Sequence, residues 1–147
     1  MNHDRARAAL EPDLTQRRAS RTMAPRQGWI RAIREALGMS VRELADRSEL
    51  SPGRISQIER AEQERTLTLS TLERIARALD CDVEYVLIPR QPLDDMVRNQ
   101  AIRKATELTA ATDHTMALED QRPSDDATRR RIETLAAELI DKRGLWS

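Results

Sequence analysis

Two helix-start signals stand eleven residues apart, and they constrain the fold more than any other feature of the chain. Ser40-Val41-Arg42-Glu43 is a capping box, in which the serine hydroxyl takes one orphan N–H of a first turn and the glutamate reaches back to another. Ser51 then precedes Pro52, a residue whose missing N–H costs nothing at the first helical position. Between them Ser48-Glu49-Leu50 breaks the pattern. The chain must therefore place two short helices around a three-residue turn, one from Val41 to about Arg47 and one over Pro52–Arg60. Val41, Leu44 and Ala45 form the inner face of the first, and Ile55 and Ile58 that of the second.

Two more helices are expected to bracket this pair. Ile30, Ile33, Arg34 and Leu37 keep helical spacing from Trp29 to a stop at Gly38. Ser70-Thr71-Leu72-Glu73 reads as a second capping box, opening a helix with Leu72, Ile75, Ala76 and Leu79 at core spacing and an end near Asp80. Aromatic residues are confined to Trp29, Tyr85 and Trp146. The core must be aliphatic, which favours thin helical layers over a thick sandwich. The fold class is mostly α: a bundle of about four helices, a short strand, then one or two C-terminal helices.

Residues 1–28 hold six arginines against three acids and read as a basic arm or a solvated tail. Residues 81–92 read as strand and linker. Asp82–Pro89 is a β-rich run whose proline pushes Ile88 to extended geometry, so a strand is favoured over a short helix, and a second copy is its simplest partner. Residues 93–147 read as a helical region for dimerisation or partner binding. Leu93, Val97, Ala101, Ala105 and Leu108 mark one helix stripe running as far as Gln121. Ile132, Leu135, Ala136, Leu139 and Ile140 mark another, capped at Pro123–Asp126 and stopped at Gly144.

At 147 residues the chain allows one compact domain with appendages and excludes a large multidomain enzyme. Cys81 stands alone, so neither a disulfide framework nor a cysteine-based zinc site is available. His3 and His114 lack metal-ligand spacing, and no phosphate loop or catalytic dyad is visible; no metal, no cofactor and no enzymatic activity are expected. The absence of an apolar leader or membrane-length run leads to the expectation of a cytoplasmic protein with no membrane association.

Two short helices on a tight turn, the second opening with small polar residues, follow the helix-turn-helix plan, in which one helix fits the major groove of double-stranded DNA. At Trp29–Asp80 the sequence resembles the Cro and phage-repressor (XRE) class, through Val41-x-x-Leu44-Ala45, Leu50-Ser51, Ile55-Ser56-x-Ile58-Glu59-Arg60 and Leu67-x-Leu69-x-x-Leu72-x-x-Ile75-Ala76. The resemblance implies base reading by Gly53, Arg54, Ser56 and Gln57, with Pro52 at the helix start. It implies phosphate contacts from Ser40 and Ser51 and an Arg34–Glu59 ion pair that orients the reading helix. Arg42, Arg60 and Arg65 are expected to face the phosphates if Glu35, Glu43, Asp46 and Glu73 face away. Gln57 can grip adenine and Arg54 guanine, while Gly53 can admit a thymine methyl. Residues 29–80 carry nine arginines and nine acids, so no broad basic face is expected.

Gly28-Trp29-Ile30-Arg31, Ala78-Leu79-Asp80-Cys81, Val86-Leu87-Ile88-Pro89-Arg90 and His114–Gln121 look like the family known as mobile mystery protein A. That resemblance implies a regulator or antitoxin linked to a bacterial mobile element and paired with a Fic-domain protein. The chain is expected to be a homodimer, joined through the Tyr85 strand or the C-terminal helices, that represses its own operon. Fic antitoxins carry a Ser/Thr-x-x-x-Glu-Gly/Asn helix. Thr115-x-x-x-Glu119-Asp120 and Thr134-x-x-x-Glu138-Leu139 approach it, and both fail its last position.

Overall fold

The computed structural model describes residues 2–118 and 123–147. Among these, the helices are α1 (His3–Ala19), α2 (Trp29–Ala36), α3 (Val41–Ser48), α4 (Pro52–Gln63), α5 (Leu69–Ala78), α6 (Leu93–Leu118) and α7 (Asp125–Leu139), with no strand. The chain divides into two compact units, Thr22–Leu87 and a second made of Met1–Arg21 with Ile88–Ser147.

In the 22–87 unit one local rule recurs three times. Ser40, Ser51 and Thr68 cap α3, α4 and α5, each hydroxyl accepting from the backbone N–H three residues on. The residue before each cap is apolar (Met39, Leu50, Leu67), and the fourth residue of each helix is Leu44, Ile55 or Leu72. All six are buried in, or packed against, one core, the arrangement of a hydrophobic staple. Met39 and Leu50 also close the preceding helices, donating their N–H to the carbonyls of Arg34 and Ala45 at 2.9 Å. Gly38 and Glu49 supply the left-handed residues these closures need, at φ 66 and 56. One apolar residue thus ends a helix and starts the next, which is why so short a turn suffices.

The core itself is Ile30, Leu44, Ala45, Ile55, Ile58, Ile75, Ala78 and Leu79, with Cys81 packed at its edge. Three sequence expectations are corrected. The α5 cap is Thr68, not Ser70, because only a start at Thr68 places Leu67 and Leu72 in staple positions over the core. Leu37 is exposed, since α2 ends before it and Met39 turns inward instead. Residues 81–89 form neither helix nor strand; a lone strand has no ladder partner within one chain, and Tyr85 is left 69% exposed.

The second unit is built on α6 and α7, whose core is Ala101, Ala105, Ala136 and Leu145 with Val97, Ile132, Leu135, Leu139 and Ile140 packed on it. The stripe on α6 continues to buried Thr109 rather than to Leu108, which is 46% exposed. Helix α7 stops at Leu139, earlier than Gly144, because Ile140 turns extended and Asp141 is left-handed at φ 61. Within the expected basic arm, His3–Ala19 form α1, and three of its four arginines are engaged inside this unit. Arg7 binds Asp94 at 2.5 Å and Asp141 at 2.7 Å, Arg17 binds Asp13 at 2.8 Å, and Arg18 binds Glu11. Glu11 also accepts the Leu93 N–H at 2.9 Å and so caps α6.

Candidate nucleic-acid interface

Helix α4 has two faces of different chemistry. Ile55 and Ile58 are buried in the core, and Glu59 beside them is buried too. Pro52, Gly53, Arg54, Ser56 and Gln57 are exposed together at the helix start. Arg54 Nη1 lies 3.5 Å from Gln57 Oε1, so the two longest side chains of that face stand side by side. Ser56 donates its hydroxyl to the Pro52 carbonyl. A Cβ added at Gly53 would meet nothing within 4 Å. The fold therefore does not require glycine there, although glycine costs about 1 kcal/mol relative to alanine within a helix.

Beside the buried Ile55 and Ile58, the Arg34–Glu59 pair fixes the orientation of α4. Arg34 Nε and Nη2 donate to the two Glu59 oxygens at 2.6 and 3.2 Å, and Nη1 donates to the Met39 carbonyl at 2.9 Å. The two side chains are 9% and 11% exposed. The hydrogen bond from Arg34 to Glu59 raises the guanidinium pKa above its ordinary value against the opposing effect of burial. Because Met39 leads into the Ser40 cap, this one guanidinium ties α2, the α2–α3 turn and α4 together.

The sequence reading missed a second tie. Gly28 precedes α2 and offers no side-chain cap; the Glu62 carboxylate of α4 accepts the Ile30 N–H instead, at 3.0 and 3.1 Å. Gly28 sits at φ 84, and a Cβ there would come within 2.9 Å of that carboxylate. The only prior signal was a glycine where a capping side chain was expected.

Ser40 and Ser51 are exposed, and their hydroxyls already accept the Glu43 and Arg54 N–H groups. The Glu43 carboxylate accepts the Ser40 N–H at 2.6 Å, which lowers its pKa. Among the arginines of residues 29–80, several are committed within the unit. Arg31 pairs with Glu35 at 2.7 Å, Arg34 with Glu59, Arg47 donates to the Ala78 carbonyl, and Arg74 to the Ser48 carbonyl. Arg42, Arg54, Arg60 and Arg65 are exposed and make no ion pair among the described residues. Residues 29–80, though without net charge, thus still present a set of guanidinium groups free of ion pairs.

The remaining candidate residues lie in the other unit. Thr115 is exposed and donates its hydroxyl to the Ala111 carbonyl; Glu119 lies outside the described residues. No cluster of histidine, cysteine or acidic side chains suited to a metal ion occurs among the described residues. None of the described helices is long and apolar enough to cross a membrane.

Two short helices on a staple-closed turn, the second braced from behind and open in front, define a helix-turn-helix unit. Residues 30–86 match the family described as Helix-turn-helix (HTH_3). The chain is 49% identical over 70 residues to a protein of Sinorhizobium fredii described as an uncharacterized HTH-type transcriptional regulator, y4dL. The match covers 48% of this chain and 33% of that protein. No solved structure matches the chain.

Proposed function

We propose that this protein is a sequence-specific DNA-binding transcriptional regulator that represses its own operon. The observation that carries the reading is the two-faced α4: buried on one side through Ile55, Ile58 and the Glu59 pair, and uncommitted on the other at Gly53, Arg54, Ser56 and Gln57. A helix so presented enters the major groove with its N-terminal residues against base edges. Gln57 then reads adenine and Arg54 guanine, each bidentate contact contributing about 1–3 kcal/mol of discrimination. Gly53 keeps the helix start open to a thymine methyl or to the DNA backbone. Ser40, Ser51 and the first-turn N–H groups of α3 and α4 meet phosphates, joined by Arg42, Arg60 and Arg65.

The chain acts as a homodimer whose two α4 helices read half-sites roughly 34–36 Å apart. The cytoplasm is its working compartment, and its gene sits on a mobile element, as the resemblance to mobile mystery protein A implies. Footprinting of the region upstream of its own gene tests the proposal. Protection of a near-palindrome is expected, and no protection at micromolar protein overturns it.

A second reading draws on the C-terminal helices α6 and α7, which belong to the other compact unit. In it, these helices bind and inhibit a Fic-domain protein encoded nearby. Co-purification of such a protein with the full chain supports this reading, and no complex at micromolar concentration removes it.

A further inference from the structure

Helix α7 buries Ile132, Leu135, Ala136 and Leu139 against α6 and leaves a different face open. That face is centred on Thr134, with the small residues Ala127 and Ala137 along it and Arg130 and Glu138 one turn to either side. It borders a groove of about 400 Å³ whose wall on α6 is Thr109. Thr109 is only 2% exposed, yet its hydroxyl has no hydrogen-bond partner. The other threonines along α6 behave differently: Thr106, Thr112 and Thr115 each donate to the carbonyl four residues back. Ile102, seven residues before Thr109 and so on the same face of α6, is 42% exposed.

The charges on this face are arranged for a copy of itself. Arg130 and Glu138 are equidistant from Thr134, four residues before it and four after it. If two α7 helices cross antiparallel at Thr134, each Arg130 comes level with the other copy's Glu138, and both ion pairs form at once. This is the self-complementarity that a two-fold interface demands. Among the described residues neither is satisfied in this way: Arg130 donates to the Asp126 carbonyl, at 3.4 Å, without an ion pair, and Glu138 makes no ion pair. Arg131, the other cation on the groove, is held by Asp113 at 3.4 Å. Alanine and threonine at the centre let two helix backbones approach closely.

We infer that the open face of α7, centred on Thr134, is a homodimer interface in which Arg130 of each copy pairs with Glu138 of the other. The inference rests on the two-copy reading given above and adds the surface that brings the copies together.

Charge reversal on the full-length chain, read by sedimentation equilibrium, tests it. Arg130→Glu alone and Glu138→Arg alone each place like charges opposite one another twice, and each is expected to weaken dimerisation roughly 30-fold. An equimolar mixture of the two variants restores opposite charges at both positions and is expected to dimerise as wild type does. Dimers unaffected by either reversal, or a mixture as weak as its components, overturn the α7 interface while leaving the two-copy reading standing. A wild-type chain that remains monomeric at micromolar concentration overturns both. Far-ultraviolet circular dichroism of each variant reports folding independently of association.

Discussion

Removing one member of the Arg34–Glu59 pair should cost about as much as truncating a fully buried core residue of the 22–87 unit. Glu59→Ala leaves a nearly buried guanidinium with the Met39 carbonyl as its one remaining hydrogen-bond acceptor and the Glu35 carboxylate, 4.0 Å away, as its nearest counter-charge. Breaking such a pair from one side costs about 3–5 kcal/mol; at 9% and 11% exposure the lower end applies. A unit of about 66 residues has a total stability of roughly 3–10 kcal/mol, so this one change removes a third of it or more. Replacing both residues, Arg34→Met with Glu59→Met, removes the uncompensated charge and should recover most of the loss. Trp29 lies in this unit and Trp146 in the other, so urea unfolding followed by fluorescence in a Trp146→Phe background reports the 22–87 unit alone. With a slope of roughly 1 kcal/mol/M, the midpoint should fall by about 3 M in Glu59→Ala and by far less in the double variant. A single-variant loss below about 1 kcal/mol would show the pair to be as solvated as a surface bridge and would refute the reasoning.

Three further outcomes are expected. Thr68→Ala should destabilise the same unit by about 1 kcal/mol while Ser70→Ala changes nothing measurable, with urea midpoints deciding between the two caps. Gly53→Ala should raise the midpoint, by about 0.5–1 kcal/mol, yet weaken DNA binding in a titration, since space at that position is free within the protein and needed outside it. In the other unit, the Leu93 N–H and then Arg18 hold the Glu11 carboxyl below its ordinary pKa of 4.5. The stability Glu11 contributes is therefore fully present above that value and disappears as pH falls through the lowered one. Glu11→Gln should flatten the acid limb of the unfolding curve followed by Trp146 in a Trp29→Phe background; an unchanged limb would remove Glu11 from the account.

The helix-turn-helix unit was legible because its rules are local. A capping serine, the residue three on and the apolar residues at either side of the cap lie within a six-residue window, and Ser40 and Ser51 both declare themselves in it. Thr68 did not, since Ser70 with Glu73 satisfies the same polar pattern; only the placement of Leu67 and Leu72 on the core decides between them. The cap that Glu62 gives α2 spans more than thirty residues, and no window contains it. Helix α1 was hidden for the same reason. Its arginines look like a free basic stretch until Asp94 and Asp141, far along the chain, are brought to Arg7. Leu108 was misplaced on the buried stripe because a row continued by counting favours it, whereas the geometry of α6 carries Ala101 and Ala105 on to Thr109, four residues further.

The most direct test of the account is selection from a random DNA pool by the wild-type chain and by Gln57→Ala and Arg42→Ala in parallel. Wild type should enrich an inverted repeat with half-site centres roughly 10 base pairs apart. Gln57→Ala should lose preference at one base of each half-site, and Arg42→Ala should retain the motif with uniformly lower affinity and a shallower salt dependence. A wild-type pool no more enriched than its input would contradict the claim that α4 reads DNA.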